Sequence, residues 1–245
     1  EDDVGLPLDG ITRWEFRIRL GHGSIVACRV VHTPWARHTT VMDFEQVVRA
    51  RRMTRRFRPD LPVPAGTLEE LVALAQRAPS AGFTQGWDVV ALVDAADRAA
   101  FWDAVADPDR PPDAWLRGVS AAPALLVMVA DPTAYLDRYA EPDKGWADRS
   151  PDRWPIPYWD TDTAMAAMII LLGATDRGLA SLFFGVPGRA HDPVRHALSI
   201  PADRRLVGVI ALGTEEAAVR SPSLARGRRA LDSVLHLGRF SGASR

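Results

Sequence analysis

Residues 124–130 read ALLVMVA, and residues 206–213 read LVGVIALG. Both runs are short, continuously apolar and partly β-branched, which is typical of strands buried on both faces of a sheet. The stretches 88–93 and 181–186 are predicted as further strands of the same kind. These strands are expected to form the interior of the fold.

Helical patterns alternate irregularly with these strands. Asp43 with Gln46, and Thr67 with Glu70, form capping boxes that predict two helix starts. Asp160 or Thr161 is predicted to cap the most apolar helix, which runs to Arg177, is closed by Gly178 and is expected to be buried on every side. Further helices are predicted over 95–105 and 192–198, and a short strand or arm over 234–237. This alternation favours a layered α/β or α+β domain.

Composition limits the class of protein. The chain has 245 residues, of which 47% are hydrophobic and 25% charged, and its formal net charge is −1. Its single cysteine, Cys28, excludes an internal disulfide and a Cys-based zinc site, so the cytoplasm is the expected compartment. The longest apolar run, 164–174, is shorter than the roughly 20 residues that a membrane span needs.

Residues 1–41 have weak periodicity, whereas regular patterning begins at Met42. Residues 17–31 are predicted to form a ragged strand pair with Gly21-His22-Gly23 as its turn. Two interpretations stay open for residues 1–41: an extension or translated upstream sequence, and a genuine N-terminal arm. The domain proper is predicted over 42–245.

Several motifs are missing from the sequence. No G-x-G-x-x-G follows a strand, and neither a phosphate-binding P-loop nor an H-E-x-x-H motif is present. No G-x-S-x-G elbow marks a serine hydrolase, and the histidines lack metal-ligand spacing. Dinucleotide-binding Rossmann domains, P-loop NTPases, zinc proteases and serine hydrolases are therefore disfavoured, and no metal is expected.

Six arginines fall within residues 49–58, RARRMTRRFR, on a nearly neutral chain. A local cluster of this kind favours one anionic ligand, and phosphate suits the planar guanidinium because it accepts paired, charge-assisted hydrogen bonds. The alternative is a solvated helix face.

The arginine cluster opens an ordered set of four segments. They are RRMTRRF at 51–57, APSAGFTQGW at 78–87, GLASLFFG at 178–185 and RGRRALD at 226–232. In order and spacing they resemble the nitroreductase family of FMN-dependent oxidoreductases, over residues 42 to about 240. The resemblance implies an α+β, three-layer α/β/α sandwich. Its central sheet would be mixed but largely antiparallel, and the chain would form an intertwined homodimer.

The resemblance also implies how FMN is held. The phosphate would be bound by Arg51, Arg226 and Arg228, and the ribityl chain and pyrimidine edge by Arg52 and Arg55. Met53 stands where the family commonly has a small hydroxyl residue, so only its main chain is expected to contact the ligand. Gln85 would read the ring edge, the backbone of Phe184 and Gly185 would face flavin N5, and Pro79 and Ser80 would come from the partner subunit.

Residues 131–159 have little periodicity and are rich in Pro, Asp, Trp and Tyr, which is typical of a functional lid or a mobile segment. Two roles stay open for their rings: a roof over a flat substrate, and an anchor that ties a long loop to the surface. The rings proposed for the lid are those of Tyr139, Trp154, Tyr158 and Trp159.

The function implied by the resemblance is hydride transfer from NADH or NADPH, through FMN, to a small oxidised acceptor such as a nitroaromatic or a quinone. The flavin would carry the chemistry, so no catalytic side chain is predicted. Two alternatives stay open. One is a family relative with different flavin chemistry, such as dehalogenation, flavin turnover or reduction fed by a deazaflavin. The other is a non-catalytic nucleic-acid binder, which the near-neutral charge disfavours. No membrane partner is expected.

Overall fold

The computed structural model describes residues 13–19, 25–31, 42–218 and 221–241. The chain divides into two compact units, Glu1–Gln46 and Val47–Arg245. That residues 1–41 are an extension to the predicted domain stays a prediction.

In the first unit, the described residues include an antiparallel strand pair, β1 (Arg13–Arg19) and β2 (Ile25–Val31). Arg13 lies opposite Val31, and Arg19 lies opposite Ile25. The predicted pair is present, but its first strand begins at Arg13 rather than at Arg17. The predicted Gly21-His22-Gly23 turn lies outside the described residues.

The other elements follow in chain order. The helices are α1 (Phe44–Ala50), α2 (Thr67–Ala75), α3 (Ala95–Val105), α4 (Ala114–Ser120), α5 (Pro132–Ala140), α6 (Tyr158–Asp176) and α7 (His191–Ala197). The strands are β3 (Trp87–Leu92), β4 (Ala124–Ala130), β5 (Ala180–Phe184) and β6 (Arg205–Gly213). Short 3-10 turns occur at 81–83, 151–153, 188–190, 222–226 and 231–233.

The second unit is built on a four-stranded sheet in the order β3-β4-β6-β5, in which every pair of neighbours is antiparallel. Every residue of β4 is buried. Its side chains alternate between two separate cores, so that Leu125, Val127 and Val129 enter one while Ala124, Leu126 and Met128 enter the other. This period of two places one core on each face of the sheet.

Helices cover both faces. Phe101 of α3, Val119 of α4 and Val194 of α7 complete the first core. Leu71 of α2 and Ile170 of α6 complete the second. The predicted α+β, three-layer α/β/α architecture is therefore confirmed.

The long helix α6 ends as predicted. Gly178 has φ +68°, and its N–H donates to the Thr175 carbonyl at 3.0 Å while the Leu179 N–H donates to that of Ala174 at 2.9 Å. This pair of bonds is the Schellman arrangement, which needs a residue that tolerates the left-handed conformation. The expectation that α6 is buried on every side is wrong for the single chain, because Met165 and Met168 are 36% and 45% exposed.

The predicted helix starts had mixed outcomes. The Asp43–Gln46 box is confirmed, since each backbone N–H donates to the other side chain, at 3.0 and 2.8 Å. The prediction of a capping box at Thr67 is wrong. Gly66, at φ +80°, occupies the N-cap position, and no side chain caps the helix there. The carboxylate of Glu70 instead accepts hydrogen bonds from Arg177, at 3.1 and 3.2 Å.

The cap predicted for α6 is also wrong, because the helix begins at Tyr158, after Pro157. Asp160 therefore lies inside the helix, where its carboxylate pairs with Arg205 at 2.9 Å. The Thr161 hydroxyl donates back to the Pro157 carbonyl at 3.3 Å.

Two helices were not predicted. They are α4, where no element was predicted, and α5, which lies in the aperiodic segment 131–159. Conversely, the predicted strand at 234–237 does not form, and those residues follow a 3-10 turn. Within the described part of the chain, no helix is long and apolar enough to cross a bilayer.

Candidate functional site

The arginine segment, residues 51–58, follows α1 and lies against β5. Met53 forms an isolated parallel bridge with Ser181, and the Thr54 N–H donates to the Ser181 carbonyl at 2.9 Å. The Phe183 N–H also points to the Met53 sulfur at 3.4 Å. The structure thus brings together the first and third of the four predicted segments, although they are far apart in sequence.

The other end of the arginine segment is joined to the chain that leaves β6. Phe57 bridges to Glu215, the Arg58 N–H donates to the Thr214 carbonyl at 2.9 Å, and the Glu216 N–H donates to that of Arg56 at 3.0 Å. The segment is therefore held at one end by β5 and at the other end by the residues that follow β6.

Glu215 was missed by the sequence analysis. One of its carboxylate oxygens accepts from Arg52 Nη2 at 2.6 Å, and the other lies 3.4 Å from the Thr54 hydroxyl. It lies two residues after the end of β6, at a position where no local motif marks it. Only the pairing of the two segments reveals that an acidic side chain lies within the arginine cluster.

The arginines of the cluster have different environments. Arg55 Nη1 donates to the Met53 carbonyl at 2.9 Å, and Arg58 pairs with Asp60 at 2.6 Å. Arg51 differs, because its Nη1 is buried and has no hydrogen-bond partner. A buried N–H without an acceptor costs about 1–3 kcal/mol, and more when the group is charged. Arg51 is therefore suited to an anionic ligand.

The end of β5 combines an aromatic wall with open space. The Phe184 ring stacks on Trp102, with centroids 5.7 Å apart and planes at 9°, and meets Trp115 edge-on at 5.8 Å. Its side chain thus belongs to the first core, and only its backbone is available to a ligand. At Gly185 an added Cβ would meet no atom within 4 Å. No packing within the described protein therefore requires glycine at that position.

The loop at residues 79–86 is tightly folded on itself. The Gln85 N–H donates to the Ser80 hydroxyl at 3.0 Å, and the Thr84 hydroxyl donates to the Ala81 carbonyl at 2.6 Å. Gln85 has φ +54°. Among the described residues, no hydrogen bond or ion pair joins this loop to the arginine segment. One chain alone therefore does not bond Pro79, Ser80 or Gln85 to the arginines.

The rings assigned to the lid pack on one another. Trp154 lies at the centre, with ring centroids 4.5 Å from Tyr139, 5.7 Å from Trp159 and 5.9 Å from Tyr158. The indole N–H groups of Trp154 and Trp159 are buried without acceptors. This packing supports the anchoring role, while the role as a substrate roof stays a prediction.

A buried polar contact beneath these rings was missed by the sequence analysis. The Tyr135 hydroxyl donates to Asp162 Oδ2 at 2.7 Å, and both residues are almost completely buried. Burial, reinforced by the hydrogen bond to Asp162, raises the pKa of Tyr135 well above the ordinary tyrosine value. The phenol therefore stays protonated and acts as a donor throughout the physiological range.

The tail arginines are at the surface. Arg226 ends the 3-10 turn at Pro222–Arg226, and Arg228 follows it. Both are exposed, and in the described part of the chain neither guanidinium has a hydrogen bond or ion pair. Whether they meet Arg51 around one ligand stays a prediction. The same part of the chain has no group of three or more His, Cys, Asp or Glu placed to hold a metal ion.

Comparison with known proteins places the chain among its relatives. Residues 48–214, more than half of the chain, match the model of the nitroreductase family. The chain belongs to the nitroreductase family. A curated relative of this nitroreductase-family chain is an NADH dehydrogenase from Thermus thermophilus. It is 32% identical over 192 residues, which cover 71% of this chain and 87% of the relative.

Solved structures of other nitroreductase-family proteins share the fold. A family protein from Streptococcus pneumoniae TIGR4 superposes with a TM-score of 0.61 at 18% identity, over 79% of this chain and 99% of that one. An FMN-dependent nitroreductase from Clostridium difficile R20291 gives 0.57 at 19% identity, over 79% and 98%. A protein from Exiguobacterium sibiricum 255-15, solved in complex with FMN, gives 0.59 at 17%, over 78% and 99%.

Proposed function

We propose that this chain is an FMN-dependent oxidoreductase that moves electrons from NADH or NADPH to a small oxidised acceptor, such as a nitroaromatic or a quinone. The observation that carries the proposal is the buried, unpartnered Nη1 of Arg51, in a segment pinned to the sheet beside β5. The names of the relatives support the same class: one is an NADH dehydrogenase and one an FMN-dependent nitroreductase.

The residues present fit FMN. A phosphate would supply the acceptor that Arg51 Nη1 lacks, and Arg226 and Arg228 would add exposed, unengaged cations. Arg52 donates through Nη2 to Glu215, which leaves other N–H groups of its guanidinium for a ribityl hydroxyl. The open space at Gly185 admits the edge of a flat ring close to the backbone.

The protein's own part in such a reaction is binding and orientation. FMN, when bound, supplies the group that accepts and gives hydride. Arg55 is held by the Met53 carbonyl, so its charge is fixed before a ligand arrives. A fixed cation beside the pyrimidine edge would stabilise negative charge that develops there. No acid or base of the chain is needed for hydride transfer itself.

The proposal includes a homodimer in the cytoplasm. The exposed Met165 and Met168 leave part of α6 uncovered. The loop carrying Ser80 and Gln85 has no described bond to the arginine segment of its own chain. A second copy would cover the apolar face and bring its Pro79–Ser80 segment to the first chain's arginines.

The direct test is spectroscopic. The purified protein, loaded with FMN and separated from excess flavin, is expected to be yellow, to bleach with NADH or NADPH in the absence of oxygen, and to regain its colour when a quinone is added. Because the nicotinamide and the acceptor would react with the flavin in turn, we expect a ping-pong order, and double-reciprocal plots of the initial rate should give parallel lines. Bound FMN that neither nicotinamide reduces would favour the deazaflavin-fed alternative. Failure to retain FMN would contradict the proposal.

Gly185→Ala tests the position of the ring. A Cβ there meets nothing in the protein, so the free energy of unfolding should change little. If the flavin approaches this backbone, the added methyl group should weaken FMN binding by about 1–3 kcal/mol, which raises the Kd by roughly 5- to 150-fold. Fluorescence titration measures that change. Gly188→Ala is the matched control, because a Cβ there also meets nothing within 4 Å. If Gly185→Ala and Gly188→Ala bind FMN with equal affinity, the flavin ring does not approach the backbone at Gly185.

A further inference from the structure

Asp162 connects three separate parts of the second unit. It lies on α6 with 1% exposure, and its Oδ2 accepts hydrogen bonds from the Ala81 N–H at 2.8 Å and from the Tyr135 hydroxyl at 2.7 Å. Ala81 opens the 3-10 turn within the loop at 79–86, and Tyr135 is on α5. One buried carboxylate oxygen thus joins α5 and α6 to that loop.

The loop has a backbone that needs outside support. Gly82, Phe83 and Gln85 all have positive φ, at 62°, 54° and 54°. The left-handed region is unfavourable for residues with a side chain, so Phe83 and Gln85 hold this conformation only where the surroundings impose it. The Phe83 N–H donates to the Ser80 carbonyl, the Thr84 N–H and hydroxyl to the Ala81 carbonyl, and the Gln85 N–H to the Ser80 hydroxyl. These bonds within the loop leave the Ala81 N–H and the Gly82 carbonyl for partners outside it.

Helix α5 supplies the second outside contact. Arg138 Nε donates to the Gly82 carbonyl at 3.0 Å, while its two terminal nitrogens bind Asp143 at 2.7 and 2.8 Å. The bidentate pair with Asp143 fixes the orientation of the guanidinium. Arg138 therefore presents Nε to the loop as an oriented donor.

The helix also packs closely on the loop. A Cβ at Gly82 would lie 2.9 Å from Tyr139 Cε2, and one at Gly86 would lie 2.6 Å from Tyr135 Cε2. The rings thus leave room for glycine only at both positions. The loop is therefore enclosed by α5 as well as bonded to it.

We propose that Asp162, Tyr135 and Arg138 form a loop clamp that sets the backbone of residues 81–86 and thereby positions Gln85 against the ligand. All three are positioning residues, since they act through Gln85 rather than by touching the reacting atoms. The proposal rests on the proposed function for the identity of that ligand, FMN. The clamp itself is a property of the protein without FMN. It also links the aromatic segment at 131–159 to the flavin-binding loop.

The first test needs no flavin. Tyr135→Phe removes only the hydroxyl, because the ring keeps its edge-on contacts with Trp154 and Trp159. In the full chain without added FMN, Tyr135→Phe, Asp162→Asn and Arg138→Gln are each expected to speed amide exchange over residues 80–87 at least tenfold. Arg149→Gln is the control, because Arg149 pairs with Asp137 in the same segment and has no described bond to the loop. Unchanged exchange in all three variants would overturn the clamp.

The second test asks whether the clamp acts through Gln85. Tyr135→Phe and Gln85→Ala are each expected to raise the Kd for FMN about tenfold, and the double variant should be no worse than Gln85→Ala alone. If the two increases in Kd multiply in the double variant, Tyr135 does not act through Gln85, and the positioning role is overturned. If the wild-type protein binds no FMN, the proposed function fails, and the exchange measurement alone decides whether the clamp exists.

Discussion

Replacing Arg51 and Arg228 together by alanine is expected to release FMN while the protein stays folded. Each lost charge-assisted contact is worth about 1.5–3 kcal/mol, so the pair should raise the Kd by roughly 10²- to 10⁴-fold. The fold should survive because Arg228 is exposed and because Arg51→Ala removes a buried donor that has no partner. The amount of flavin retained after gel filtration measures the release of FMN. The midpoint of urea unfolding shows whether the protein stays folded.

The matched control is Arg58→Ala with Arg229→Ala. These arginines come from the same two segments but are already engaged, Arg58 with Asp60 and Arg229 with the Ser233 carbonyl. FMN affinity should change less than a few-fold. If both double variants keep their flavin, the phosphate does not lie at Arg51 and Arg228. If both lose it equally, binding depends on general positive charge rather than on these two residues.

Phe57→Ala is expected to produce the largest loss of stability. Phe57 is 1% exposed, belongs to the first core and bridges to Glu215 at the end of the arginine segment. Truncation of a buried phenylalanine typically costs about 3–5 kcal/mol, because the lost burial is compounded by a cavity. The substitution should also affect the candidate site, because Phe57 joins the arginine segment to the residues that follow β6. Urea unfolding measures the free energy.

Leu61→Ala serves as the comparison, because Leu61 lies just beyond the same segment and is 39% exposed. Its effect should be much smaller than that of Phe57→Ala. A Phe57→Ala variant as stable as the wild type would mean that the segment's attachment to the sheet contributes nothing to the fold. FMN affinity should be recorded on folded Phe57→Ala protein, where it is expected to fall.

The strongest sequence patterns predicted the fold well. The run 124–130 was assigned its strand limits from continuous apolarity alone, and β4 has those limits. Helix α5 was missed because residues 131–159 are rich in Pro, Asp, Trp and Tyr and lack periodicity, and no element was assigned to the seven residues of α4. Both carried a usable signal: Asp113 and Asp131 cap them through side-chain bonds, and Pro132 occupies the first turn of α5.

Part of the candidate site could be predicted from the sequence because the segments resemble those of a known family. The arginine segment and β5 were assigned to one site through the family resemblance, and the bridge between Met53 and Ser181 places them side by side. The partners of these residues were not predictable. Glu215 lies 163 positions from Arg52, and Asp162 lies 81 positions from Ala81. No local pattern reports such pairings, because tertiary folding alone creates them.

The internal pairing of the arginine segment limits what else it can attract. Arg52 is neutralised by Glu215 and Arg58 by Asp60, while Arg55 is turned towards its own main chain. Affinity for a polyanion grows with the number of condensed counterions that free cations displace. Arginines that are already paired with carboxylates displace fewer of them. We therefore expect the segment to bind DNA or RNA less strongly than its number of arginines suggests.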